Sequence, residues 1–206
     1  MFDKIISLEN LFTAWNEFRP GKRSTADVQD FERNLEDHLF RLNWELKNGK
    51  YKHGKYERFQ IFDPKHRIIH KAEVRDRVVH HAVYRILAPI FERSFIYDSY
   101  SCRVGKGTHA AVDRLEYFLR KVSRNYTQPC WALKCDIRKF FGSIDRTILT
   151  KLVEQKVSDP NVLRLLHDIT NSFVVVDNFV ERERERESIT GIPIGNLTSQ
   201  LFANVY

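Results

Sequence analysis

Apolar residues recur every three or four positions along much of the chain. This spacing predicts amphipathic helices over residues 3–18 and 27–48, with Gly49 as the cap of the second. Another helix is predicted to begin near Glu73, because two adjacent apolar rows run from there towards Pro89. The same spacing predicts three later helices, over residues 109–124, 145–156 and 160–172.

Short stretches of the chain favour strands instead. Residues 56–62 and 67–71 alternate between apolar and polar positions, which predicts a hairpin around the intervening turn. Residues 131–136 (WALKCD) are expected to form a buried strand that ends in an acid, and residues 173–180 are also β-prone. The mixture of both element types predicts an α+β fold.

Composition is that of a globular protein, since the 206 residues are 42% hydrophobic and 30% charged. No apolar run is long enough to cross a membrane, and charged residues interrupt the apolar pattern of residues 1–18, which argues against a signal peptide. A cytoplasmic location is therefore expected. Three cysteines without a CxxC pair argue against a disulfide framework.

Positive charge is concentrated in the middle third of the chain. Residues 61–125 hold thirteen Lys and Arg against seven Asp and Glu, whereas the flanking thirds are nearly balanced and the whole chain carries +7. Such a distribution fits a phosphate-binding surface, and a merely solubilising face explains the charge equally well. The alternating Glu and Arg of residues 181–187 are interpreted as a solvated stretch with no assigned chemistry.

One segment with candidate chemistry begins at the predicted strand over residues 131–136. It places Asp136 at the strand end and the aromatic pair Phe140 and Phe141 shortly after it. A carboxylate held on a strand end suits a catalytic Mg²⁺, which prefers few protein carboxylates together with substrate phosphates. The alternative is an aspartate that caps the following turn. Asp145 is expected to cap the next helix and not to bind metal.

A second candidate segment covers residues 191–204 (GIPIGNLTSQLFAN). Glycines and a proline lead into a helix whose start offers Asn, Thr and Ser caps, so that the backbone could approach a ligand closely. An ordinary capped helix is the alternative. His66 and His70 have the spacing of helical zinc ligands, but they flank the hairpin turn and lack a third ligand, which argues against zinc.

Together the two segments resemble motifs of reverse transcriptases. The first is similar to the first palm motif of that family, and the second to its template- and nucleotide-contacting loop and helix. Two upstream segments resemble finger motifs of group II intron-like enzymes: residues 65–79 (KHRIIHKAEVRDRVV) and residues 99–109 (SYSCRVGKGTH). The four motifs occur in the family's order across residues 56–206.

The resemblance extends to a subtype. Group II intron enzymes usually have Gln-Gly and Ser-Pro in the loop and helix, whereas this chain has Ile194-Gly195 and Ser199-Gln200. That pattern resembles the reverse transcriptases of diversity-generating retroelements, which copy an RNA template with frequent errors at adenines. A group II intron-like or defence-associated reverse transcriptase is the alternative within the family. A non-catalytic RNA-binding module is the alternative outside it.

The resemblance implies roles for individual residues. Asp136 would be catalytic and would bind metal together with the backbone carbonyl of Ile137. Phe141 would exclude the 2′-OH of the nucleotide sugar, whereas Phe140 would belong to the core. The remaining nucleotide-binding candidates are Lys65, Arg67, Arg75, Ile194, Gly195 and Gln200, and the nucleic-acid-binding candidates are Arg103, Lys106 and Ser199. An ion-paired or solvated role is an equal alternative for Arg75.

The resemblance also implies an architecture and a reaction. Residues 1–55 would form a helical N-terminal region, residues 56–130 the fingers and residues 131–206 part of the palm of a right-hand polymerase. Two Mg²⁺ ions would align a primer 3′-OH with the α-phosphate of a dNTP on an RNA template. The partners would be an RNA template, a DNA or RNA primer and dNTPs, with a small basic accessory protein for the retroelement subtype. Because the family's paired-aspartate motif and thumb are expected after Tyr206, the chain alone is expected to be inactive.

Overall fold

The protein is described from a computed structural model, which covers residues 1–62, 65–173 and 190–206. Ten helices and a two-stranded sheet are found in these ranges. Their bounds are α1 Phe2–Ile6, α2 Leu8–Phe18, α3 Ala26–Arg33, α4 Leu35–Lys47, β1 Glu57–Ile61, β2 Arg67–Lys71, α5 Val74–Glu92, α6 Thr108–Val122, α7 Phe140–Ser143, α8 Arg146–Glu154, α9 Pro160–Asn171 and α10 Leu197–Val205.

The two helices predicted before Gly49 are each divided in two. Ser7 separates α1 from α2, and its hydroxyl accepts a hydrogen bond from the Asn10 N–H at 3.2 Å, so it starts α2 as an N-cap. Asn34 separates α3 from α4 with non-helical backbone angles. Gly49 follows α4 with φ of +64°, which confirms the predicted cap.

Helix α5 is the element around which the others assemble. It contacts α1, α2, α3 and α10, and its two predicted apolar rows are buried. Asn10 ties α2 to this helix, because its side-chain amide donates to the Ala82 carbonyl at 3.1 Å and to the Ile5 carbonyl at 2.9 Å. The N-terminal helices therefore share one apolar core with α5 and α10.

The predicted hairpin is confirmed, with β1 and β2 antiparallel and Glu57 opposite Lys71. Residues 63 and 64 of its turn lie outside the described residues. The outer edge of β2 is also used, since the His70 N–H donates to the Ile194 carbonyl at 2.9 Å. The hairpin is thereby joined to the loop that precedes α10.

The prediction of a buried strand over residues 131–136 is wrong. These residues form no regular secondary structure, and Trp131 and Leu133 are 95% and 91% exposed. A strand is stabilised by ladder hydrogen bonds to a neighbour, and the only sheet in the described residues is the β1–β2 pair. The helix before this segment, α6, likewise has no buried residue.

The last third of the described chain follows its predicted helices. The Asp145 carboxylate accepts from the backbone N–H groups of Thr147 and Ile148 at 2.7 and 3.0 Å, which confirms that Asp145 caps α8. The predicted β-prone stretch after Phe173 and the Glu-Arg run fall outside the described residues, in the range 174–189. Among the helices of the described ranges, none has the length and apolarity that a membrane crossing requires.

Candidate functional site

A cavity of about 430 Å³ lies where the hairpin, the α7 turn and the loop before α10 meet. It contains three of the residues predicted to bind nucleotide: Arg67, Phe141 and Ile194. The whole lining consists of His66, Arg67, Ile68, His70, Lys139, Phe140, Phe141, Gly142, Phe173, Ile192 and Ile194. Three sequence motifs, the first and last of which are more than a hundred residues apart, thus form one site.

Backbone hydrogen bonds hold the loop of residues 191–194 between the other two walls. On one side, the Gly191 N–H donates to the Ile144 carbonyl at 2.8 Å and the Ile192 N–H donates to the Phe141 carbonyl at 2.9 Å. On the other side, the Ile194 carbonyl accepts from the hairpin at His70. Because these bonds use main-chain atoms, they fix the spacing of the walls largely independently of side-chain identity.

Gly195 is required where this loop passes the hairpin. Its φ is +120°, and a Cβ at this position would lie 2.9 Å from the Ile69 Cγ2 atom and 3.4 Å from the His70 carbonyl oxygen. Only glycine combines this backbone angle with such a close approach. Gly195 therefore acts in the site through backbone geometry, which agrees with the glycine-rich pattern of the segment.

The electrostatics of the cavity combine cations with apolar walls. Arg67 and Lys139 are exposed at the cavity and can meet an anion, while Phe141 and Ile194 are half-buried and apolar. Burial and the nearby Arg58 lower the pKa of His70, so its imidazole is neutral at pH 7. This arrangement can accept a ligand that joins a flat or apolar body to phosphates.

Two buried polar atoms next to the cavity have no hydrogen-bond partner in the described structure. They are the Nδ1 atom of His70 and the Oδ1 atom of Asn196. The side-chain amide of Asn196 donates to the His70 carbonyl at 3.4 Å, so the two residues adjoin each other. Buried polar atoms are normally paired, and these two can therefore bond a ligand or a water molecule.

Asp136 and Ile137 lie on the exposed segment that leads into α7 and do not line the cavity. Lys139, three residues after Asp136, is the first residue of this segment in the lining. Within the part of the chain that the structure describes, no three His, Cys, Asp or Glu side chains are grouped as a metal site. Asp136 is thus a single exposed carboxylate on a segment without regular secondary structure.

The basic candidates outside the cavity are engaged elsewhere. Arg75 forms an ion pair with Glu45 at 2.5 Å, and its guanidinium lies over the Tyr51 ring. Arg103 binds the Glu92 carboxylate at 2.6 Å and donates to two loop carbonyls at 2.8 Å, with its side chain nearly buried. The structure does not bring Arg75 or Arg103 to the cavity, because both are used to hold neighbouring elements together.

The remaining candidates do not line the cavity. Lys65 is exposed beside the hairpin turn. Lys106 donates to the Tyr97 carbonyl at 2.8 Å and lies over two tyrosine rings of the loop after α5. Ser199 is buried and Gln200 is half-buried on α10, and neither lines the cavity.

Sequence reasoning missed several residues of the cavity. His70, Lys139, Ile192 and Phe173 line it but were not proposed as nucleotide-binding residues. His70 lies three residues after Arg67 and Ile192 two residues before Ile194, so a whole-segment assignment would have included them. Phe173 follows α9 and carries no local signal, because only the tertiary packing of α9 brings it to the hairpin.

Comparisons with known proteins agree with the resemblance. No protein family model matches the chain. It is 28% identical over 132 residues to an uncharacterised 91 kDa protein in the cob intron of Schizosaccharomyces pombe. It is 26% identical over 131 residues to the group II intron-encoded protein LtrA of Lactococcus lactis. Both matches cover 64% of this chain, but only 15% and 20% of the relatives, so the chain spans a small part of their length.

A structural comparison covers nearly the whole fold. The chain matches a chain of the partial Cas6-RT-Cas1–Cas2 complex with a TM-score of 0.61 and 19% sequence identity. The match covers 99% of this protein's residues and 33% of the matched chain. At this identity the match concerns the fold alone. Together with the intron-encoded relatives, it supports the resemblance that the motifs carry. The chain resembles reverse transcriptases, and its relatives include group II intron-encoded proteins.

Proposed function

We propose that this chain forms the nucleotide- and template-binding part of an enzyme that copies RNA into DNA. The observation that carries the proposal is the convergence of Arg67, Phe141 and Ile194 on one cavity. The phosphates of a dNTP would meet Arg67, with Lys139 and Lys65 nearby, because guanidinium and ammonium groups bind phosphate well. Its sugar and base would lie against Phe141 and Ile194.

The described residues fit one side of a Mg²⁺ site. The Asp136 carboxylate and the Ile137 carbonyl are exposed oxygen donors of the type that Mg²⁺ prefers. Two bound Mg²⁺ ions would supply charge neutralisation at the primer 3′-OH and the transferring phosphate. The residues of this chain contribute the binding and orientation of the nucleotide. Further carboxylates would come from the longer protein, since the matched relatives extend well beyond this span.

In this proposal the parts of the chain correspond to parts of a right-hand polymerase. Residues 1–55 are the helical N-terminal region, residues 56–130 the fingers and residues 131–206 part of the palm. The cavity lies between the proposed fingers hairpin and the proposed palm turn, where a polymerase receives its nucleotide. The positive middle third of the sequence supports an RNA or RNA–DNA partner for the fingers.

We further propose the diversity-generating retroelement subtype, on the basis of Ile194. This side chain lines the cavity, and it occupies the position at which the resemblance to group II intron enzymes implies glutamine. Isoleucine offers apolar contact without a hydrogen bond, so the site holds the nascent pair through shape alone. A group II intron-like enzyme is the second candidate, because intron-encoded proteins are among the relatives. Flanking DNA with a near-repeat template and a small basic accessory gene would favour the retroelement.

Primer extension on an RNA template tests the proposed function. In the full-length protein that carries this sequence, Asp136→Asn removes a metal-neutralising charge from an exposed residue while preserving its shape. We expect extension to fall by at least about a hundredfold, with the fold and RNA binding unchanged. Activity of the variant close to that of the unmodified protein would refute the role of Asp136. RNA binding without any extension by the unmodified protein would instead identify a non-catalytic RNA-binding module.

A further inference from the structure

We propose that Thr198, His80 and His53 form a buried hydrogen-bond relay that positions the Ile194 wall of the cavity. The inference rests on the proposed nucleotide site and adds positioning residues to it. The relay connects three separate segments: the first turn of α10, the centre of α5 and the segment between α4 and β1. None of these three residues lines the cavity, so each would act on a ligand only through other residues.

The relay is continuous at hydrogen-bond distances. The Nδ1 atom of His80 lies 2.6 Å from the Thr198 Oγ1 atom, and its Nε2 atom lies 3.1 Å from the Nε2 atom of His53. The side chains of all three residues are almost completely buried. Buried polar groups of this kind are stabilising only when every member has a partner, which makes their geometry specific.

Asp76 fixes the segment that presents His53. One carboxylate oxygen of Asp76 accepts from the Tyr51 hydroxyl at 2.8 Å, and the other accepts from the Gly54 N–H at 2.9 Å. Burial, reinforced by Asp76, raises the pKa of Tyr51 well above its ordinary value, so the hydroxyl keeps the proton that it donates. His53, between these two anchors, is thereby held against α5.

The hydrogen-bond partners of the ring nitrogens assign one tautomer to each of His53 and His80. The Nδ1 atom of His53 lies 2.7 Å from the Gly54 carbonyl oxygen, which can only accept, so this nitrogen carries the proton. In the singly protonated ring the Nε2 atom of His53 is then an acceptor, and we assign the facing Nε2 atom of His80 as its donor, because two acceptor nitrogens at 3.1 Å would repel each other. The Nδ1 atom of His80 is then an acceptor for the Thr198 hydroxyl.

Tyr56 lies beside the relay, because its hydroxyl oxygen is 3.2 Å from the His53 Nε2 atom and 3.1 Å from the Ser172 hydroxyl oxygen. Ser172 donates to the Ile169 carbonyl at 2.7 Å, so its oxygen can accept from the Tyr56 hydroxyl at 3.1 Å. Burial raises the pKa of Tyr56 to about 12, which keeps its hydroxyl protonated. Tyr56 also packs edge-on against Phe173 in the cavity lining. Tyr56 thereby connects His53 to the side of the cavity that Phe173 lines.

At the other end of the relay, Thr198 controls the loop that carries Ile194. Thr198 lies four residues after Ile194, and the intervening Gly195 and Asn196 are packed against β2. A displacement of the first turn of α10 would therefore move the loop relative to the hairpin. We infer that the bond from Thr198 to His80 fixes the start of α10, and with it the position of the Ile194 side chain.

Nitrogen NMR of the uniformly ¹⁵N-labelled 206-residue chain tests the relay without any ligand. At pH 7.5 we expect slow-exchanging imidazole resonances with the proton on Nδ1 of His53 and on Nε2 of His80. Rapid averaging between tautomers, or a His80 proton on Nδ1, would overturn the relay. The measurement uses the unmodified chain, so it does not depend on the folding of a variant.

Two substitutions at Thr198 test the positioning role. Thr198→Val removes the hydroxyl at nearly constant shape, and Thr198→Ser keeps it as the matched control. We expect Thr198→Val to shift the Ile194 methyl resonances and to weaken dTTP–Mg²⁺ binding about tenfold, because the free chain would hold the cavity wall in its binding position for a smaller fraction of the time. Thr198→Ser should restore both to within about twofold.

The possible results distinguish a failure of the relay from a failure of the proposed nucleotide site. An unmoved Ile194 methyl resonance in folded Thr198→Val would overturn the positioning role, whatever the nucleotide affinity. If the unmodified chain does not bind dTTP, the nucleotide site is refuted, and the relay is then decided by the tautomers and the methyl shift. A moved methyl resonance with unchanged dTTP affinity would also overturn the link between the relay and the site.

Discussion

Phe140 and Phe141 are adjacent in sequence and line the same cavity, yet their surroundings differ. Both are half-buried and pack edge to face with ring centroids 5.8 Å apart. The Phe140 ring also packs against Tyr206, whereas the backbone carbonyl of Phe141 accepts from the loop of Ile192. Phe141 is therefore tied directly to the wall that carries Ile194, which is consistent with a role next to the nucleotide sugar.

Valine substitutions should distinguish the two phenylalanines. In the full-length protein, Phe141→Val should raise incorporation of rNTP relative to dNTP by about tenfold or more, because removing a contact at the 2′ position is worth about 1–3 kcal/mol. Phe140→Val should leave this ratio unchanged and lower the free energy of unfolding by about 1–3 kcal/mol. Primer extension with each nucleotide and urea unfolding provide the readouts. Exchanged effects would show that the sugar contacts Phe140 instead.

Residue chemistry could be predicted where it depends on local sequence and not where it depends on distant partners. The cap at Asp145 follows from the helix that it precedes, and the structure confirms it. Arg75 and Arg103 have the right charge for phosphate, but their partners Glu45 and Glu92 occupy their guanidinium groups. Glu45 is thirty residues from Arg75, a separation at which helical spacing gives no information.

At the scale of elements, the loop before α10 connects the hairpin to the α7 turn. Gly195→Ala should disturb this connection, because its backbone angle is unfavourable for alanine and the new Cβ would meet Ile69. We expect a loss of about 1–3 kcal/mol in the free energy of unfolding. Gly142→Ala is the matched control, since a Cβ there meets nothing within 4 Å and its φ is not positive. Equal stability of the two variants in urea unfolding would argue against a strained loop.

Most helices could be predicted from apolar spacing, because each buries one face against α5 or its neighbours. The interruptions at Ser7 and Asn34 were not predicted, since apolar residues continue at helical spacing through both breaks. The strand over residues 131–136 was predicted incorrectly, because the apolar run indicates the tendency to pair but not the presence of a partner. The motifs that line the cavity could be predicted, but their convergence could not. Backbone hydrogen bonds among β2, α7 and the loop before α10 bring them together.

At the scale of the whole molecule, buried histidines make stability depend on pH. Burial, with added repulsion from neighbouring groups, lowers the pKa of His80 well below 6.5 and that of His81 to about 4. Both bind protons near pH 6.5 when unfolded but remain neutral when folded. Unfolding between pH 6.5 and 4 therefore takes up protons, and stability falls as the pH is lowered through this window.

Urea unfolding across this pH range measures the effect. The fully buried His80 should contribute a slope approaching about 1.4 kcal/mol per pH unit, the limit for one proton. His80→Gln should remove this part of the slope, whereas replacing the exposed His109 with Gln should leave the slope unchanged. A stability that does not vary between pH 7 and 5 would show that His80 is protonated as readily in the folded chain as in the unfolded one.

The central claim is that the cavity between hairpin, α7 and loop binds a nucleotide. Titration of the isoleucine-methyl-labelled 206-residue chain with dTTP–Mg²⁺ tests it most directly. We predict saturable shifts of Ile68, Ile192 and Ile194, which line the cavity, with Ile5 in the distant core as the unshifted control. Arg67→Ala should weaken this binding by about tenfold or more, because a charged bond to phosphate is lost. An absence of shifts, shifts confined to residues outside the cavity, or unchanged affinity of Arg67→Ala would contradict the account.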